Sequence, residues 1–166
     1  KSEDFMSCYD NFKANNSNQN HIKSEDFMMI CDEKLIPMTT LKTGHTWYGL
    51  FGFRPFDDLK QKPDINGLRY YKQNYEKMQT LKLIDNKFII KLILDIDKKY
   101  NYNIINGDII QKIINKNKDI LIKDFIIKLL KINNFCIIFE KIYIDIMIEL
   151  KLYNFTGKLF YFDFKV

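Results

Sequence analysis

The chain has few of the side chains on which catalytic and metal sites most often depend. Its 166 residues include three cysteines, two histidines and only two arginines, Arg54 and Arg69. An odd number of cysteines without a recognisable secretory signal predicts free thiols in a reducing compartment. Neither a P-loop nor a dinucleotide-type glycine loop is present, and no cysteine or serine lies in a nucleophile elbow. We therefore expect no catalytic residue and no cofactor.

A metal site is not expected either. The four residues that could bind zinc are separated by 13, 10 and 14 positions, without the short paired spacing of structural zinc sites. They are Cys8, His21, Cys31 and His45. The pairs Asp57-Asp58 and Asp95/Asp97 are interpreted as capping or solvated carboxylates, and not as magnesium ligands.

No apolar run is long enough to cross a membrane. The most hydrophobic stretch, residues 135–152, is broken between residues 140 and 149 by four charged side chains, which do not suit a bilayer core. They are Glu140, Lys141, Asp145 and Glu149. We therefore expect a protein without a membrane-bound segment, in the cytoplasm.

Charge is distributed unevenly along the chain. Residues 1–80 carry 11 basic and 11 acidic side chains, whereas residues 81–166 carry 15 basic and 10 acidic ones. The basic half could bind nucleic acid, or its lysines could form solvated helix faces, because they alternate with acidic residues. The 26 isoleucines, 24 lysines and 16 asparagines indicate an AT-rich genome, so the lysine excess is not by itself evidence for nucleic-acid binding.

Apolar residues (46%) and charged residues (28%) occur in the proportions of a folded domain. We expect residues 1–22 to form a flexible or partly ordered arm, 23–80 a β/aromatic unit and 81–166 a helical unit, with 23–166 as one domain. The apolar runs in residues 26–38 predict a β-hairpin with Pro37 at its edge or end. Residues 43–58 predict turns and short strands, and residues 158–164 a terminal strand.

Four helices are predicted after residue 80, because apolar residues recur there every three to four positions. Their expected starts are Asp85, Asp108, Asp119 and Asn134. The resulting fold class is α+β: a small N-terminal β/aromatic unit packed on a C-terminal bundle of about four helices, with a short terminal strand.

The last of these helices has apolar residues outside its main core face. Ile137, Ile144 and Ile148 share a third side of the helix, which the core face cannot cover. Either this helix is central and buried on two sides, or its second face binds a partner.

Residues 45–57 form the most distinctive segment, His-Thr-Trp-Tyr-Gly-Leu-Phe-Gly-Phe-Arg-Pro-Phe-Asp. It could be a structural turn in which Arg54 pairs with Asp57 or Asp58, because large aromatic side chains bury much apolar area. It could instead form an interface, for which the candidates are Trp47, Tyr48, Phe51, Phe53 and Arg54.

Tyr48 followed by Gly52-Phe53 resembles the Tyr-x-x-x-Gly-Phe element of the GCN5-related N-acetyltransferases. The resemblance implies acetyl-coenzyme A binding, with Tyr48 protonating the departing thiolate. The chain lacks the family's Arg/Gln-x-x-Gly-x-Gly/Ala pyrophosphate loop, so it would be a degenerate or truncated member.

The Thr-Trp-Tyr and Gly-Phe-Arg-Pro-Phe-Asp elements, with the Leu-Tyr-Asn-Phe and Phe-Tyr-Phe-Asp ending, also resemble a group of proteins from giant DNA viruses. This resemblance implies a viral protein of the host cytoplasm or virion. The leading hypothesis is thus a non-enzymatic interaction or assembly protein, with a protein partner or self-association. An acetyl-coenzyme A-binding domain and a nucleic-acid-binding module are the alternatives.

Overall fold

The structure is a computed structural model that describes residues 36–162. The α-helical segments are 36–43 (α1), Trp47–Leu50 (α2), Ile65–Met78 (α3), Phe88–Lys99 (α4), Gly107–Lys116 (α5), Ile122–Leu130 (α6) and Phe135–Glu149 (α7). A 3-10 helix spans Leu83–Asp85. The strands are Phe53–Asp57 (β1), Lys62–Pro63 (β2) and Leu159–Phe162 (β3).

The fold class is α+β, as the sequence predicts, with the strands on the N-terminal side and at the C-terminal end. The three strands form one antiparallel sheet in the order β2-β1-β3. Phe53 pairs with Phe162 and Phe56 with Leu159, so the predicted terminal strand closes against the aromatic segment. Gly52 leads from α2 into β1 with φ +87°, a left-handed conformation that favours glycine.

The N-terminal part of the described chain contains more helix than the sequence indicated. Residues 36–43 are helical, so the predicted hairpin is wrong at residues 36–38, and residues 26–35 lie outside the described part. Helix α3 has 14 residues within the predicted β/aromatic unit. Its Asp64 cap accepts a hydrogen bond from Gly67 N at 2.9 Å. Its buried positions recur at helical spacing: Gly67, Tyr71, Asn74 and Met78.

The predicted helices after residue 80 are all present, and α7 follows Asn134 as predicted, but the starts of the other three differ. Helix α4 begins at Phe88, three residues after the predicted Asp85 cap, because residues 83–85 form a 3-10 turn. Helix α5 begins at Gly107, one residue before the predicted Asp108, and Asn106 caps it, since its side chain accepts a hydrogen bond from Ile109 N at 2.9 Å. Helix α6 begins at Ile122 and not at Asp119.

Two groups of buried side chains hold these elements together. The aliphatic core consists mainly of Ile and Leu from α4–α7, with Met38, Leu41 and Met78 from the N-terminal part. The aromatic cluster lies beside the sheet and is built on Ile36, Tyr71 and Phe155. The two groups therefore join residues from both predicted units.

Buried polar side chains fix the connections between these elements. Asn74 on α3 donates to Tyr153 O at 2.7 Å and accepts from Tyr153 N at 2.9 Å, which holds the chain after α7 against α3. The carboxylate of Asp97 is buried and accepts hydrogen bonds from the backbone N–H groups of Ile104 and Ile105. Asp97 therefore caps a loop, as expected. None of the helices in residues 36–162 has the length and apolarity needed to cross a membrane.

Candidate interaction surfaces

Helix α2 and strand β1 form a compact turn around the predicted aromatic block. Thr46 caps α2 by accepting a hydrogen bond from Gly49 N at 2.9 Å. The ring of half-buried Tyr48 lies 5.1 Å from that of Phe160 and 6.3 Å from that of Phe53, measured between centroids. The structure thus brings two predicted candidates, Tyr48 and Phe53, together. Trp47 begins α2, and its side chain is outside the described part.

Beside this turn lies a group of exposed apolar side chains, Leu50, Phe51 and Phe162, which we call the aromatic surface. Their exposed fractions are 46%, 57% and 42%. Phe162 belongs to β3, and its ring borders Gly52 and meets the ring of Phe53 edge-on at 5.3 Å. Side chains of this size are often buried, so their shared exposure makes this surface a candidate contact site.

Arg54 does not form the predicted pair with Asp57 or Asp58. Its guanidinium donates to Phe53 O at 2.8 Å and to Gly49 O at 3.4 Å, and it lies over the Tyr71 ring at 5.3 Å. Asp57 instead accepts a hydrogen bond from Lys60 N and forms an ion pair with Lys60. Arg54 therefore holds the α2–β1 turn against α3 by carbonyl and cation–π contacts.

His45 and Tyr71 form a close hydrogen-bonded pair between the end of α1 and helix α3. The Nδ1 atom of His45 lies 2.6 Å from the Tyr71 hydroxyl, and the His45 ring packs on Tyr75 with centroids 4.6 Å apart. Burial, with the nearby charge of Arg54, lowers the pKa of His45, and burial raises the pKa of Tyr71. Both groups are thus neutral at pH 7, and the pair joins two elements through one hydrogen bond.

The three isoleucines predicted on one side of the last helix differ in exposure. Ile137 is half-buried, whereas Ile144 is 38% and Ile148 is 66% exposed. Helix α7 buries most of its other apolar residues in the aliphatic core, so it is central and still presents two isoleucines at the surface. Tyr100, 44% exposed, lies near this helix with Lys141 Nζ 4.4 Å above its ring.

An open cleft of about 590 Å³ lies between the β1–β2 turn, the start of α3 and the residues before β3. Its wall includes the stacked rings of Tyr70 and Tyr153, whose centroids are 4.6 Å apart with an angle of 2° between the planes. Charged residues of both signs line it: Asp57, Asp58, Asp64, Arg69 and Lys158. These charges do not select a ligand of one sign.

The structure separates the predicted interface residues into two surfaces. Tyr48, Phe51, Phe53 and Arg54 lie together near the sheet, while the exposed isoleucines are on α7. Sequence reasoning missed Phe162, Phe160 and Tyr71, which complete the aromatic surface and its support. The sequence shows three consecutive aromatic residues at 160–162, but it does not show their register against β1.

Among the residues of the described range, no three or more potential ligands are grouped for a metal ion. His45 is hydrogen-bonded to Tyr71. The other three zinc candidates, Cys8, His21 and Cys31, lie outside that range. Cys136 is buried on α7.

Comparison with known proteins gave no match to the chain among protein-family models, curated proteins or solved structures.

Proposed function

We propose that the chain is a non-enzymatic interaction or assembly protein that associates through the aromatic surface and the adjoining edge of β3. The observation that carries this proposal is the exposure of Leu50, Phe51 and Phe162 next to a strand at the border of the sheet. The resemblance to giant-virus proteins favours an assembly role in the virion or host cytoplasm.

Strand β3 supplies the polar part of this surface. In the strand order β2-β1-β3 of residues 36–162, β3 pairs with β1 and lies at the border of the sheet. The outer edge of a border strand can pair with an incoming strand through backbone N–H and C=O groups. A second copy of the chain carries the same edge and the same aromatic residues, so antiparallel pairing of two β3 strands buries both.

The proposed association is tested by sedimentation velocity from micromolar to millimolar protein. We expect reversible self-association, and slower amide exchange at 159–162 as the protein concentration rises. Phe51→Asp should weaken the association about tenfold or more, because it places a charge in an apolar contact. Leu59→Asp is the matched control, since Leu59 is 96% exposed and follows the end of β1 that pairs with Leu159, whereas the aromatic surface lies at the other end, where Phe53 pairs with Phe162.

A chain that stays monomeric at millimolar concentration, with exchange at 159–162 independent of concentration, would contradict this form of association. Equal weakening by Phe51→Asp and Leu59→Asp would show that the aromatic surface is not the contact.

The acetyltransferase resemblance gives a competing prediction. Titration with coenzyme A in a calorimeter should then release or absorb heat, and Tyr48→Phe should preserve binding while removing the phenol from the chemistry. Absence of heat at millimolar coenzyme A would remove this alternative.

A further inference from the structure

The surface around helix α5 combines apolar grooves with positive charge. On one side of α5 a groove of about 470 Å³ has a floor of Ile109, Ile113 and Ile132. Three lysines border it, Lys112, Lys116 and Lys128, and its lining contains no carboxylate. The three isoleucines are half-buried and the three lysines are exposed. This groove is called the α5–α6 groove below.

A second, smaller groove of about 280 Å³ lies on the other side of α5. Its apolar lining includes Ile84, which is 47% exposed, and Ile114, and its charged lining consists of Lys87 and Lys118. Helix α5 is therefore flanked on both sides by isoleucine floors and lysine borders. Five lysines and no acidic residue line the two grooves.

The lysines of the α5–α6 groove are available to a ligand. Ion pairs in the described part of the chain use other lysines, namely Lys60, Lys72 and Lys82. Lys112 and Lys116 are one turn apart on α5, as are Ile109 and Ile113. Charged and apolar side chains thus recur together at the spacing of a helix, along about 10 Å of α5.

We propose that the α5–α6 groove binds an acidic amphipathic helix of a partner protein. The apolar face of the partner would pack on Ile109, Ile113 and Ile132, and its carboxylates would meet Lys112, Lys116 and Lys128. The isoleucine floor favours this occupant over nucleic acid, because phosphates need no apolar contact. This surface is separate from the aromatic surface, so its test is independent of the proposed self-association.

The experiment selects binders from a display library of random 16-residue peptides, with the whole chain as bait. Peptides that bind outside the groove are removed because they also bind the variant Lys112→Glu/Lys116→Glu/Lys128→Glu. We expect the retained peptides to combine Asp or Glu with large apolar residues at spacings of three and four. Their affinity for the charge-reversed variant should be at least about tenfold lower than for the wild type.

Two further variants separate the contribution of the groove lysines to peptide binding from that of the isoleucine floor. Lys72→Glu/Lys91→Glu/Lys98→Glu makes the same change of charge at exposed lysines outside the groove, and it should bind the selected peptides like the wild type. Ile109→Ser removes part of the apolar floor and should weaken binding about tenfold. Circular dichroism melting of each variant establishes that it is folded.

Three outcomes would overturn the proposal. One is a selection that retains no peptides. Another is a retained pool whose affinity is unchanged when each sequence is scrambled or when Ile109→Ser is the bait, since charge alone would then explain binding. The third is a duplex oligonucleotide that binds the wild type more tightly than the peptides do and depends on the same lysines, which would assign the groove to nucleic acid.

Discussion

The contacts within the aliphatic core and those within the aromatic cluster join residues at different separations along the chain. In the aliphatic core, isoleucines at helical spacing within α4–α7 meet those of neighbouring helices. In the aromatic cluster, Tyr71 of α3 meets Phe155, which lies far along the chain, with ring centroids 6.2 Å apart. The first arrangement follows from local periodicity, whereas the second needs α3 to meet the chain that follows α7. We therefore expect the loss of one side chain to affect mainly the sheet in the aromatic cluster, and helices α4–α7 as a group in the aliphatic core.

Substitution of Phe155 should cause a large loss of stability that originates in the aromatic cluster. Phe155 is completely buried between Tyr71, Tyr153 and Phe160, so Phe155→Ala should cost about 3–5 kcal/mol of unfolding free energy through lost contacts and a cavity. Denaturant titration measures the cost. Amide exchange should accelerate further in β1 and β3 than in α7, because the sheet loses its direct support.

Phe139→Ala is the matched substitution in the aliphatic core, where Phe139 is also completely buried. It should cost a similar free energy but accelerate exchange throughout α4–α7. If both substitutions gave the same exchange pattern, the two groups of buried residues would act as one cooperative core.

Two glycine substitutions should give smaller effects of opposite sign. A Cβ at Gly49 would overlap the Tyr71 ring, while a Cβ at Gly107 has open space around it. Gly49→Ala should therefore destabilise the protein by about 1–3 kcal/mol through overpacking. Gly107→Ala should stabilise α5 by up to about 1 kcal/mol, since alanine restricts the unfolded chain more.

Thermal or denaturant unfolding of the two alanine variants measures this difference. A Gly49→Ala variant as stable as the wild type would show that α2 can move away from α3, and that the aromatic cluster tolerates repacking.

The same difference between local contacts and contacts of distant residues explains which elements could be predicted from the sequence. Helices α4–α7 were predicted because their isoleucines recur locally, and errors were confined to their starts, where the Asp85 position became a 3-10 turn. Strand β3 was predicted from its aromatic residues. Helix α3 was missed because its buried residues include Gly67 and Asn74, which carry no hydrophobic signal. Asn74 is buried for its hydrogen bonds to Tyr153, a contact set by tertiary structure.

The candidate surfaces were predictable to a lesser degree. The sequence placed Ile137, Ile144 and Ile148 outside the core face, and Ile144 and Ile148 are exposed whereas Ile137 is half-buried. Phe51, an interface candidate, is also exposed. It did not mark the α5–α6 groove, because Ile109 and Ile113 have the spacing of ordinary core residues. Only the packing of α5 against α6 leaves these isoleucines half-buried beside lysines from both helices.

The pH dependence of stability should show the smallest effect, through His45. Burial lowers the pKa of His45 below its usual 6.5, so between those two values the unfolded chain binds a proton that the folded chain does not. The contribution of His45 to the unfolding free energy should therefore fall as the pH decreases below about 6.5, and stop changing below the folded-state pKa of His45. His45→Gln should show a shallower decrease between pH 7 and pH 5 in urea titrations, and His21 is common to both proteins. Because His45 is only half-buried, the difference should be small. An equal or steeper decrease in His45→Gln would mean that the pair with Tyr71 does not exclude the protonated imidazole, and that this side of the aromatic cluster is open to water.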